Sequence, residues 1–237
     1  MEAFELSPTV IKAVGIGRIC GIGARILSEL GSNGQDCTWF DAGGGDFNHS
    51  EFDVRSSLSG AHWLLVEASS FGGAQSLSSA AGAAMVFAEL EGAKTVVIVD
   101  DWVEMEPERA WGAIVERIRQ VGVICMTSEG RDWIAGLEGV AKRDVGGLLR
   151  SRGLVSVVAI LDVEAGRAEV HHSLGVENGD CDCDSVQSWS RGCCWASHRA
   201  VTPERGSGNP RGFEEHFQSM ILEADAPPRG TEAMGCH

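Results

Sequence analysis

The sequence predicts an α/β domain: a Rossmann-like, mostly parallel sheet with helices on both faces and a short antiparallel or irregular C-terminal part. Three observations carry this. Between Thr9 and Val163, apolar runs alternate with segments of helical period, the pattern of parallel strands joined by crossover helices. The runs are near-continuous in Val, Ile and Leu, as expected for strands buried on both faces. Residues 10–27 pass from a strand through a glycine-rich turn into a helix.

In chain order, strands are predicted over residues 10–16, 37–40, 63–67, 95–100, 122–126 and 154–161. Helices fit between them over residues 22–30, 76–90, 107–120 and 132–150. Pro107 suits a first helical turn, where its missing N–H has no partner to lose. Residues 157–163 and 168–174 flank Glu164-Ala165-Gly166-Arg167 and can form a hairpin that ends the sheet antiparallel. Adjacent His171 and His172 fall in this second run, so one is expected on the surface and one packed. The domain organisation read from these patterns is a nucleotide-binding-like α/β unit over residues 1–150, a shortened second-domain remnant or hairpin over 151–180, and a Cys/Gly-rich, partly disordered tail over 181–237.

The chain has 34 acidic against 19 basic side chains and a formal net charge of -15, which disfavours nucleic acid as a partner. No apolar run approaches the roughly 20 residues that span a bilayer. Glu2 and Glu5 stand where a secretory signal would be basic, so membrane insertion is not expected and the chain reads as cytoplasmic. In that compartment the eight cysteines are expected as free thiols or metal ligands rather than disulfides. Cys181, Cys183, Cys193 and Cys194, with histidines nearby, offer soft ligands for zinc, although C-x-C and adjacent cysteines differ from the usual C-x₂-C knuckles.

The turn Gly15-Ile-Gly17-Arg-Ile-Cys-Gly21-Ile-Gly23 has the context in which backbone N–H groups approach a phosphate at a helix N-terminus. Gly15, Gly17, Gly21 and Gly23 are therefore candidate nucleotide-binding residues. Asp41, about 20 residues on, is placed to accept hydrogen bonds from a ribose. Asp100-Asp101, at the end of a strand, could hold a magnesium ion through water or cap the segment that follows.

Several separated pieces resemble the tubulin/FtsZ family. Val10-Ile-Lys-Ala-Val-Gly-Ile-Gly17 resembles its first strand and phosphate loop, and Leu58-Ser-Gly-Ala-His-Trp-Leu-Leu-Val66 the strand before its signature loop. Ser69-Ser-Phe-Gly-Gly-Ala-Gln-Ser-Leu77 stands where the family has GGGTGTG. Residues 95–100, 102–115 and 122–126 resemble the following strand, helix and strand, and Gly175-Val-Glu-Asn-Gly-Asp180 a turn of the second domain.

The resemblance implies a GTP-binding fold with magnesium, whose subunits stack on themselves or on another member of the family. The signature loop keeps only Gly72 and Gly73, and side chains at Phe71, Gln75 and Leu77 would obstruct a phosphate. Of the acids in the family's catalytic loop, only Asp162 could serve here, one residue out of register. The resulting expectation is a degraded GTP site with weak or no hydrolysis, in an assembly or interaction partner in cell division. The alternative is a Rossmann-like enzyme or sensor that binds NAD or a flavin through Gly15, Gly17, Gly21 and Asp41. A third reading is an α/β scaffold with no nucleotide.

Overall fold

The computed structural model describes residues 10, 12–32, 34–41, 53–100, 106–153, 155–162, 165, 167–172 and 175–180. The first half of the chain forms β1 (Lys12–Gly17), α1 (Ile22–Ser32), β2 (Asp36–Asp41), α2 (Val54–Leu58), β3 (Trp63–Glu67), α3 (Ser69–Gly72) and α4 (Gln75–Glu91). It continues with β4 (Lys94–Val99), α5 (Pro107–Glu116), β5 (Val121–Thr127), α6 (Ser128–Glu138), α7 (Val145–Arg152), β6 (Val157–Asp162), β7 (Arg167–His172) and β8 (Gly175–Asp180).

The strands pair in the order β2-β1-β3-β4-β5-β6-β7-β8. Pairing is parallel from β2 through β6, and β7 runs antiparallel to both β6 and β8. The expected α/β class and the hairpin at the end of the sheet are thus present. One continuous sheet runs across residue 150, because β6 pairs with β5.

The direction of winding decides which face each helix covers. From β1 the chain steps one way to β2, then crosses back and proceeds the other way through β3, β4, β5 and β6. Right-handed crossovers put helices on opposite faces for the two directions. Accordingly Ile26, Leu27 and Leu30 of α1 pack on Ala13, Trp63 and Leu65 on one face. Phe71, Met85, Ile114, Ile134 and Leu149, from α3 to α7, pack on Val14, Val66, Val97, Ile124 and Val158 on the other.

The predicted helix over 132–150 is two helices. Gly139 has φ of 65°, its N–H meets the Gly136 carbonyl, and the Val140 N–H meets the Ala135 carbonyl at 3.1 Å. This left-handed glycine cap ends α6, and a 3₁₀ turn at Lys142–Asp144 leads into α7. The helix predicted to reach Gln120 ends at Glu116 and closes with a 3₁₀ turn, Ile118–Gln120.

Gly175–Asp180, read from the sequence as a turn, is the edge strand β8. Its presence makes β7 an interior strand, so His171 and His172 are both buried rather than one exposed. The His171 ring lies so close to α7 that a Cβ on Gly146 would be 2.3 Å from it. The short helix α2 was also absent from the sequence reading, although Asp53 caps it by accepting from the Arg55 and Ser56 N–H groups.

Candidate functional site

In this strand order the chain leaves β1 toward one neighbour and returns to β3 on the other side, so the winding reverses at the carboxyl ends of β1 and β3, the place of the ligand crevice in open α/β sheets. The β1–α1 turn lies over it, and Glu67, the last residue of β3, lies beneath with 0% exposure.

The Glu67 carboxylate holds both ends of the turn. Its Oε2 accepts from the Arg18 backbone N–H at 2.9 Å and its Oε1 from the Gly23 N–H at 3.1 Å. The Ser69 hydroxyl donates to the same Oε2 at 3.3 Å. Gly23 is the second residue of α1, so its N–H is one that a helix leaves without an internal partner. On the outer side, Asp41 Oδ1 accepts from the Ile19 N–H at 3.0 Å.

The glycines answer to these side chains. A Cβ on Gly17 or Gly21 would stand 2.6 Å and 1.8 Å from the Glu67 carboxylate oxygens. On Gly15 and Gly23 it would stand 2.3 Å and 2.7 Å from the Trp39 ring. None of the four is among the described glycines with positive φ, so they provide space rather than an unusual backbone. The N–H groups predicted to cradle a phosphate therefore hold a carboxylate of the protein itself.

Burial pushes the Glu67 carboxyl up to about 7, and the charge of Asp100 adds to this. The Arg18 and Gly23 N–H groups and the Arg18 guanidinium pull the other way. Arg18 Nη2 reaches Asp100 Oδ2 at 3.4 Å, with the Arg18 side chain 36% exposed and that of Asp100 11%. Asp100 directly follows β4. Thus a partly exposed guanidinium and a mostly buried carboxylate lie at the mouth, with Glu67 beneath them.

The other predicted residues lie elsewhere along this edge. Gly72 ends α3, whose Phe71 is fully buried and whose Ser70 hydroxyl donates to the Ile16 carbonyl at 3.4 Å. A Cβ on Gly73 would meet only Leu77, at an ordinary 3.5 Å. Asp162 ends β6, and its Oδ1 accepts from the Ala165 N–H at 2.9 Å, which closes the turn into β7. Cys181, Cys183, Cys193, Cys194 and Asp101 lie outside the described residues.

Among the described residues no three His, Cys, Asp or Glu side chains gather to hold a metal, and no helix is long and apolar enough to cross a membrane. Cys20 is exposed, Cys125 buried and Cys37 between them, with burial raising the Cys37 thiol to about 11.

Sequence reasoning missed Glu67. The signal was one acidic residue ending the otherwise apolar run Trp63–Val66, but its partners are 44 to 49 residues away. Only the adjacency of β1 and β3 brings them together.

No protein-family model and no curated protein matches the chain. Solved structures do. The chain is similar to 2-dehydro-3-deoxygluconokinase from Thermotoga maritima, with a TM-score of 0.63, 11% identity and coverage of 91% of this chain and 93% of that one. It is similar to phosphomethylpyrimidine kinase from Clostridium difficile 630, with a TM-score of 0.62, 10% identity and coverage of 92% and 100%. Fructokinase with bound ATP from Xylella fastidiosa gives a TM-score of 0.57 at 12% identity, with coverage of 90% and 76%.

The fold is thus one found in sugar and vitamin kinases, and this overturns the resemblance to the tubulin/FtsZ family. The pieces that suggested it are an apolar strand, a glycine turn and a helix, which parallel α/β sheets share generally. The GTP site and the assembly role in cell division that it implied are withdrawn with it. The alternative of an NAD or flavin enzyme has no support in these likenesses either.

Proposed function

We propose that the chain is a small-molecule kinase, which transfers a phosphoryl group from ATP to a hydroxyl of a sugar-like or hydroxymethyl-bearing acceptor held at the β1–β3 crevice. The observation that carries this is the Arg18–Asp100 pair at the reversal of strand order, in a fold similar to that of a fructokinase, a 2-dehydro-3-deoxygluconokinase and a phosphomethylpyrimidine kinase. ATP, as its magnesium complex, would supply the electrophilic phosphorus.

The β1–α1 turn does not fit the nucleotide's phosphates, because Glu67 fills the space beneath it and takes the Arg18 and Gly23 N–H groups. That crevice therefore suits the acceptor. Asp100 would accept hydrogen bonds from its hydroxyls, and the guanidinium of Arg18 would donate to their oxygens. Arg18 faces the carboxylates of Glu67 and Asp100, with Asp41 on the outer side of the turn, in a chain of net charge -15. This balance favours a neutral acceptor over a phosphorylated one.

The test is release of ADP by the purified full chain with ATP and magnesium, against a panel of pentoses, hexoses, a 2-keto-3-deoxy sugar acid and a hydroxymethylpyrimidine. ADP release that depends on one acceptor is expected. ATP turnover indifferent to every acceptor, or no turnover with any of them, would overturn the reading.

A further inference from the structure

We propose that Glu67 is the positioning residue of this site: its carboxylate, clamped between Arg18 N–H and Gly23 N–H, fixes the turn that aims the Arg18 guanidinium across the crevice at Asp100. The two hydrogen bonds are 2.9 Å and 3.1 Å long and come from opposite ends of the turn, so one side chain fixes its span. The Gly21 N–H donates to the Arg18 carbonyl at 2.9 Å, which makes the intervening residues one closed loop. Gly17 and Gly21 let the carboxylate approach closely enough to act on both ends.

The grip depends on the protonation of Glu67: opening the turn hydrates the carboxyl and returns it toward its ordinary range, so the closed turn holds the proton more tightly than the open one. The groups facing it are Arg18 from the turn, Asp100 beyond β4, the Ser69 hydroxyl from α3 and the uncharged start of α1. Asp41 holds the outer side of the same turn through the Ile19 N–H. Burial and the charge of Asp100 both favour protonation near neutrality. The turn is therefore held more firmly at slightly acid than at slightly alkaline pH, and the aim of Arg18 follows. That Arg18 meets a kinase acceptor rests on the function proposed above. That Glu67 holds the turn does not.

Amide hydrogen exchange of the isotope-labelled full chain tests this, with rates corrected for the intrinsic effect of pH. In Glu67→Ala, protection of the Arg18 and Gly23 amides should fall about tenfold, while Leu65 and Val97 in the core stay within about twofold. In the wild type the same two amides should lose protection as pH rises from about 6 to about 8, and Glu67→Gln should remove that step. Should the alanine variant fail to fold, the glutamine variant and the wild-type pH series decide.

Unchanged protection at both amides in the folded variant, or no pH step in the wild type, would overturn the proposal. For a confirmed acceptor, Glu67→Gln should raise KM and leave kcat within about twofold. An unmoved KM beside a loosened turn would reduce Glu67 to a purely structural role. A wild type that phosphorylates nothing would remove the kinase reading and leave the exchange result standing.

Discussion

Two glycine-bearing turns lie side by side at the carboxyl edge of this sheet, and they use glycine for different ends. After β1, Gly17 and Gly21 press against the buried carboxylate of Glu67. After β3, Gly72 and Gly73 close the short helix α3, whose Phe71 fills the core, and a side chain at Gly73 would meet only ordinary contact. In sequence the first reads as a loop built to admit a phosphate, and the second as a degraded one that Phe71, Gln75 and Leu77 obstruct. What separates them is what each glycine faces, and in the first turn it faces an anion belonging to the chain.

That contrast can be broken by substitution. The largest effect is expected from Gly21→Ala, whose methyl would stand 1.8 Å from a buried Glu67 oxygen that the Gly23 N–H holds. A loss of about 3 kcal/mol in a denaturant titration is expected, the upper range for an overpacked site. A loss below about 0.5 kcal/mol, the range of an ordinary surface change, would mean that the turn is not closed over Glu67.

Next comes the pH dependence of stability. Glu67 titrates at about 7 in the folded protein against an ordinary value of 4.5. The folded state then binds more protons than the unfolded state between those values. Stability from this group is therefore greatest at and below about pH 4.5 and falls as pH rises to about 7. Its size is on the order of 3 kcal/mol, at 1.36 kcal/mol per unit. Chemical unfolding of the wild type and of Glu67→Gln across this range should show the slope in the first only.

A control lies far from both turns. Glu138 on α6 accepts from the Trp111 indole at 2.6 Å and pairs with both terminal nitrogens of Arg152, tying α5, α6 and α7 together. Glu138→Ala should lower stability by about 2 kcal/mol, since it strands a partly buried indole N–H and a charged partner. Exchange at Arg18 and Gly23 should not respond. The smallest effect is expected at Gly73→Ala, within about 0.5 kcal/mol by thermal or chemical unfolding. A large loss there would erase the distinction between the two turns.

Much of the fold was legible because hydrophobic periodicity reports burial directly. The run Trp63–Glu67 was read with its observed bounds, and β1, β4 and β5 within two residues, since each is a dense apolar run that must be covered on both faces. The strand β8 was missed because Gly175–Asp180 carries a single large apolar residue, Val176, and lies at the sheet edge. The break between α6 and α7 was missed because Gly139, one glycine in a helical pattern, gives no sign of its φ until its neighbours are placed.

The site was legible only in part. The glycine spacing marked the turn, and Asp41 stood out beside it, but Glu67, the group that the turn encloses, comes from β3. A strand order that places β3 next to β1 is a tertiary fact. Without it, glycines that make room for Glu67 and Trp39 look the same as glycines that make room for a phosphate. The same ambiguity allowed the resemblance to a GTP-binding family to extend over separated pieces while the continuous sheet through β8 pointed elsewhere.

The link from this crevice to catalysis is tested most directly by acceptor-dependent ADP release in the wild type and in Arg18→Ala. The wild type should turn over with one acceptor, and the variant should show at least about a tenfold rise in acceptor KM, the cost of one charge-assisted hydrogen bond, with ATP binding unchanged. Equal kinetics in the two proteins, or a loss of ATP binding in place of acceptor binding, would contradict it.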